Sequence, residues 1–363
     1  MKNTNDKAAK VNKTRLIFYF MALLLLITTG LSIYMAWGIH KLNDVSGNGN
    51  TSVNTSAIDG YTLVNDEMIS QIKNDAYYLG QSTLLTSIKS MMEDGDTTLK
   101  MLRTLYPDYL VYSDTGGFVF KEINEDLVMH DYDAAGFKIT ENKYEVPTNV
   151  EYYEDDELVS YKGIDVSKHN GTIDWSKVKD DGIDFAILRA GVRGYGTEGR
   201  LLADESFAQN AKDATDNGIA IGAYIFSEAV TVEEAIEEAE LVLSQIEPFD
   251  ITYPVIIDIE DIQNDTGRNE SLTPTELTDI VLAFCNKIKE AGYTPMIYCN
   301  LKGFVGMLEF ERLEGIEKWY AYYGNELYFP YDVSMWQYTA SGTVDGIDGQ
   351  VDLNISFKNY KED

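Results

Sequence analysis

The chain has 363 residues and a formal net charge of −31, from 60 acidic against 29 basic side chains. Such a balance excludes nucleic-acid binding, which needs a basic face. Only two cysteines, Cys285 and Cys299, and three histidines occur. A disulfide scaffold is excluded, buried free thiols are expected, and neither a structural zinc nor another metal site has support.

Residues 1–15 carry Lys2, Lys7, Lys10, Lys13 and Arg15 against a single Asp6 and read as a cytoplasmic tail. Leu16 to Ile39 then run twenty-four positions without a charge, enough helix to cross the ~30 Å hydrocarbon layer. Positive residues stay inside, so 16–39 is expected to be a single-pass membrane anchor, with everything after His40 outside the cell. The competing expectation is a cleaved signal and a secreted protein. The run exceeds the usual ~7–15-residue apolar core, and no small-x-small cleavage site follows it. Residues 40–57 are polar and glycine-containing, a flexible linker.

Residues 58–157 read as a small extracellular α+β stem domain. Apolar residues recur at helical spacing from about Asn65 to Leu105, with Gly80 and the Asp94–Asp96 turn expected to split them into two or three helices. Tyr109 to Lys121 reads as a hairpin around a glycine turn. The acidic cluster Glu151 to Glu157 is expected to be a solvated boundary. The sequence leaves open whether the stem dimerises, binds wall or acts as a spacer.

From 158 to 363 strands alternate with helices, the pattern of a parallel α/β fold. Strands are expected at Lys162–Val166, Phe185–Arg189, Ile219–Phe226, Val255–Glu260, Met296–Cys299, Trp319–Ala321, Val333–Tyr338 and Val351–Leu353. Helices are expected at Ile173–Lys179, Asp204–Asn217, Val232–Ile246 and Thr275–Ala291, so the helices run out in the last third. In such barrels chemistry gathers at the carboxyl ends of the strands. Asp165, Asp258, Glu260 and Asp352 all fall at expected rim positions. Pro254 to Glu260 reads Pro-Val-Ile-Ile-Asp-Ile-Glu, a strand buried on both faces that ends in two carboxylates facing the same side. Burying such a pair costs several kcal/mol unless it is paired or protonated. Two carboxyls with different protonation are what acid/base cleavage of a glycosidic bond requires. A cation site or a plain solvent-facing strand end is the alternative use of one pair, but four carboxylates on one rim are not explained by packing.

The ordered set of motifs Gly163-Ile-Asp-Val-Ser-Lys-His-Asn-Gly171, Asp258-Ile-Glu260, Trp336-Gln-Tyr-Thr339 and Val344 to Asn354 resembles glycoside hydrolase family 25, the Chalaropsis-type lysozymes. The resemblance covers about residues 160–358. It implies a (β/α)5(β)3 barrel and cleavage of the β-1,4 bond from N-acetylmuramic acid to N-acetylglucosamine in peptidoglycan glycan strands, without a cofactor. Carried over by position, Glu260 resembles the general acid. Asp258 resembles the residue that steadies the substrate's 2-acetamido group or the charge beside it, and Asp165 and Asp352 the remaining acids. The resemblance also favours substrate-assisted retention, although sequence spacing between the carboxyls leaves the stereochemistry open.

Aromatic rings suit the apolar faces of sugars. Tyr195, Tyr224, Phe226, Tyr298, Trp319 and Trp336 are the expected sugar contacts, with Tyr224 and Trp336 foremost; Tyr323 and Tyr338 lie at similar positions. His169 is expected to be a loop residue bonded to backbone, and Arg189 either a counter-charge to the acidic cluster or a substrate contact. Two other functions compete: a non-catalytic wall-binding module on an inactive barrel, and a glycosidase of different linkage specificity, such as a chitinase. Retention of all four carboxylates weighs against the first. The missing run of alternating Asp and Glu on the catalytic strand weighs against a chitinase.

Overall fold

The computed structural model describes residues 66–361 except 195, 197 and 263–266. The expected tail, anchor and linker (1–15, 16–39 and 40–57) lie outside the described residues, as does Tyr195. Among the described residues, no helix is long and apolar enough to cross a membrane. The chain divides into two compact units, the second beginning at Thr98.

The described part of the first unit is one helix, Asp66–Glu93. Gly80 does not split it, contrary to the sequence expectation. A glycine costs a helix about 1 kcal/mol relative to alanine, which a helix of 28 residues absorbs. The break comes at the Asp94–Asp96 turn, where Gly95 takes a φ of 79° that L-residues disfavour.

The second unit opens with the helix Thr98–Leu105 and a hairpin of β1 (Tyr109–Asp114) and β2 (Gly117–Glu122). A three-stranded sheet follows, made of β3 (Phe137–Glu141), β4 (Pro147–Glu154) and β5 (Glu157–Leu158). The barrel strands are then β6 (Tyr161–Val166), β7 (Phe185–Arg193), β9 (Ala220–Phe226), β10 (Val255–Asp258), β11 (Pro295–Asn300), β12 (Glu317–Ala321), β13 (Met335–Gly342) and β14 (Val351–Ser356). A short β8 (Leu201–Ala203) lies antiparallel beside β7.

The eight strands close on themselves, because β6 bonds both β7 and β14. Every neighbouring pair from β6 round to β13 is parallel. The last strand, β14, runs antiparallel to both its neighbours. The core of the barrel is aromatic. Phe185 stacks on Tyr253 at 4.3 Å, and a Cβ at Gly163 would lie 2.1 Å from the Phe185 ring, so only glycine lets that ring into the barrel.

Helices Phe207–Asp216, Val232–Ile246 and Pro274–Glu290 cover β7, β9, β10 and β11. The last carries a capping box at Thr273 and Glu276 with proline in its first turn, the start signal legible in the sequence. After β11 only two short turns of helix follow, Gly303–Met307 and Phe310–Leu313. Strands β12 to β14 therefore need another cover for the apolar residues on their outer faces.

Residues 98–158 supply it. Phe137 meets Trp336 edge-on at 5.9 Å, Tyr132 stacks on Phe357 at 4.1 Å, and the Tyr132 hydroxyl donates to the Val333 carbonyl at 2.7 Å. Met129 and Tyr331 form a β-bridge. The domain boundary expected at 157/158 thus falls inside one compact unit. Glu151 to Glu157 is solvated at Glu154 to Glu157, as expected, but it is not a linker. It is the β4–β5 hairpin, with Tyr152 only 3% exposed and with Asp155 and Asp156 turning at positive φ. Cys285 and Cys299 are free and buried, as expected.

Candidate active site

Asp165, near the end of β6, lies directly opposite Asp352 on β14. Asp352 reaches this rim by an unexpected route. It stands near the start of its strand, and because β14 runs antiparallel, its beginning lies beside the ends of the others. Asp258 ends β10, level with Phe226 on one side and Tyr298 on the other. Glu260 lies two residues beyond the end of β10, not on the strand. Strand alternation therefore does not place it. Its nearness to the rim shows in the electrostatics: its charge raises Asp258, and the Tyr298 hydroxyl lowers Glu260 itself.

The four carboxyls are not equivalent. Asp165 Oδ2 accepts from Gln337 Nε2 and Asn354 Nδ2, both at 2.8 Å. Burial raises its pKa, while these two amides and a bond from Asp352 hold it down, leaving it at about 6. Asp352, desolvated and facing Asp165, is pushed up to about 8. The pair thus shares one proton, with Asp352 donating to an ionised Asp165.

Asp258 is raised well above the ordinary aspartate range, first by burial and then by Glu260 and Asp165, against a smaller pull from Arg189. Its Oδ1 is buried without a hydrogen-bond partner, a costly condition unless a ligand answers it. Glu260 is raised by burial and by Asp165, and lowered by the Tyr298 hydroxyl. Tyr298 also reaches Gln337 Oε1, at 2.8 Å. Its single proton serves one acceptor at a time, and Tyr323 donates to the same Gln337 oxygen at 2.8 Å, so Tyr298 can turn to Glu260.

Gln337 and Asn354 organise this rim, and the sequence expectations did not single them out as site residues. Asn354 accepts from Trp319 Nε1 at 2.9 Å while donating to Asp165. The available signal was a polar side chain inside each of two apolar strands. Both are almost fully buried, and a buried amide needs partners.

The expected sugar contacts divide by strand parity. Tyr224, Phe226, Tyr298 and Trp319 belong to strand faces turned into the barrel, with Tyr298 and Trp319 edge-on at 4.6 Å. Trp319 is 2% exposed, so it supports the rim from below through Asn354. Trp336 corrects the expectation. It alternates with inward Met335 and Gln337, so it faces out of the barrel. There it is fully buried against Phe137 and donates to the Tyr322 carbonyl at 2.8 Å. Tyr338 shares that outward parity. Tyr323, 57% exposed at the rim, is the more accessible ring.

Arg189 donates to Asp204 Oδ2 at 2.7 Å, so its principal partner is a carboxylate outside the four. His169 is exposed in a turn, where its backbone N–H donates to Ser167 Oγ.

A family model described as glycosyl hydrolases family 25 matches residues 164–347. The chain belongs to that family. It is a glycoside hydrolase. The protein YegX of Escherichia coli K12 is 31% identical over 211 residues, 53% of this chain and 68% of that one. Lysozyme M1 of Streptomyces globisporus is 29% identical over 213 residues, 53% of this chain and 66% of its own. Among solved structures, the modular autolysin LytC of Streptococcus pneumoniae, in complex with a synthetic peptidoglycan ligand, matches with a TM-score of 0.49 at 27% identity. That match covers 68% of this chain and 56% of LytC, so the chain spans little more than half of that modular protein. For this family 25 chain, the matched segment holds Asp165, Asp258, Glu260 and Gln337, whereas Asp352 and Asn354 lie just past its end.

Proposed function

We propose that this chain is a peptidoglycan muramidase that cuts the β-1,4 bond between N-acetylmuramic acid and N-acetylglucosamine. The observation that carries this is the buried, unpartnered Asp258 Oδ1 at the same rim as Glu260. Glu260, kept protonated by burial, is the general acid that donates to the departing sugar oxygen. Asp258 faces the opposite partner of the reaction. Its free oxygen is suited to accept from the N–H of a 2-acetamido group and, in its ionised form, to stabilise positive charge developing at the ring. That assignment makes the substrate's own acetamido oxygen the nucleophile and the outcome retention. Asp165, ionised and tied down by Gln337 and Asn354, sets the field in which Glu260 keeps its proton. Purified wall digested with the full chain and analysed by mass spectrometry after borohydride reduction is expected to show new reduced ends on N-acetylmuramic acid. New ends on N-acetylglucosamine would overturn the muramidase assignment.

We also propose that the enzyme is held at the cell membrane by residues 16–39, N-terminus inside and catalytic unit outside. The support is the uncharged run of twenty-four residues behind a basic tail. Full-length protein is expected to pellet with membranes and to resist carbonate extraction. Mature protein in the medium starting between residues 30 and 60 would show a removed signal instead.

A further inference from the structure

Beside the carboxylate rim lies a second recess. A cavity of about 510 Å³ opens between the β1–β2 hairpin and the loops that follow β11 and β12. Two of its lining residues adjoin the catalytic rim: Tyr323, whose hydroxyl donates to Gln337, and Asp261, the residue after Glu260. Its size is that of an ordinary small-ligand site.

The charges around this cavity are unevenly satisfied. Lys302 Nζ binds Asp114 at 2.9 Å and Asp261 at 2.8 Å, pinning the hairpin tip to the segment that carries Glu260. One cation thus answers both acids. Arg103 has no carboxylate partner among the described residues. Its Nε donates to the Val111 carbonyl at 3.0 Å and one terminal nitrogen donates to the Tyr322 hydroxyl at 2.7 Å. The guanidinium also lies 4.0 Å from the centre of the Tyr328 ring. These contacts use two of the five N–H donors an arginine owns and hold its plane in place. A guanidinium oriented in advance, charged and without an acid is suited to bind a carboxylate.

We propose that this cavity is a subsite for the carboxylate-bearing peptide branch of a peptidoglycan strand, read by Arg103. The proposal rests on the muramidase assignment and adds a substrate preference to it: strands that carry peptide are cut faster than bare glycan. It also gives the hairpin a role beyond covering the barrel.

The test uses the full chain and two soluble substrates: glycan oligomers with their peptides, and the same oligomers stripped by an amidase. Arg103→Gln is expected to lower kcat/KM on the peptide-bearing oligomers roughly tenfold, through KM, as for one charge-assisted hydrogen bond. On stripped oligomers it should change nothing. Ser113→Trp starts from an exposed hairpin position lining the cavity and should cause the same selective loss by filling the space. Equal effects on both substrates, or none on either, would overturn the subsite. If wild type cuts neither substrate, the muramidase assignment fails separately. Calorimetry then decides the subsite: tighter binding of a disaccharide-peptide than of the bare disaccharide, lost in Arg103→Gln, supports it, and equal affinities overturn it.

Discussion

Glu260→Gln is expected to lower kcat on peptidoglycan by about 10²–10⁴-fold, the usual contribution of general acid catalysis, while leaving the fold intact. The substitution keeps the shape of the side chain and removes only the transferable proton. It also removes a group whose charge burial and Asp165 disfavour, so the melting temperature should hold or rise. The pH profile carries a second signature. Because the pKa of Glu260 is raised, the active protonated form persists above the ordinary glutamate range, and activity is lost as pH rises through that value. In Glu260→Gln this alkaline limb should disappear from whatever activity remains. Residual activity within threefold of wild type would sink the assignment of Glu260 as the acid.

Asp258→Asn is expected to reduce kcat by about 10²–10³-fold, comparable to removing one electrostatic stabiliser of a transition state, and to raise stability at neutral pH. A carboxyl whose pKa is raised on folding favours the native state through its neutral form. That contribution is complete below the unfolded aspartate value of about 4 and is lost as pH rises through the folded value. Burial, Glu260 and Asp165 all push Asp258 in this direction. At neutral pH the wild type therefore bears a strain that asparagine relieves, the trade of stability for activity seen at functional sites. Thermal melts at pH 5 and pH 8 beside the kinetics check both halves. If the asparagine variant kept most of its activity, Asp258 would be a structural residue.

Much of this site was legible in the sequence because strand ends in a barrel follow simple rules. A Val/Ile run closed by Asp258, and a Gly-Ile-Asp run holding Asp165, mark their own places on a rim. The helices Val232–Ile246 and Pro274–Glu290 were legible for a similar reason, since their apolar period and start signals are local. Glu260 was expected at the rim for an incomplete reason. Asp258, two residues earlier, ends the strand, but Glu260 itself lies in the loop that follows, and Tyr298, which influences its carboxyl, comes from the next strand and is distant in the chain.

Only the tertiary structure decided the rest, because it depended on which strand pairs with which. The antiparallel β14 puts the start of the strand at the rim, so Asp352 meets Asp165 there. A parity shift of one residue on β13 sends Trp336 outward and Gln337 inward, and in a strand buried on both faces the hydrophobic pattern cannot tell these apart. Residues 98–158 form no separate stem for the same reason. The need they answer, an outer cover for strands that lack helices, exists only once the barrel has closed.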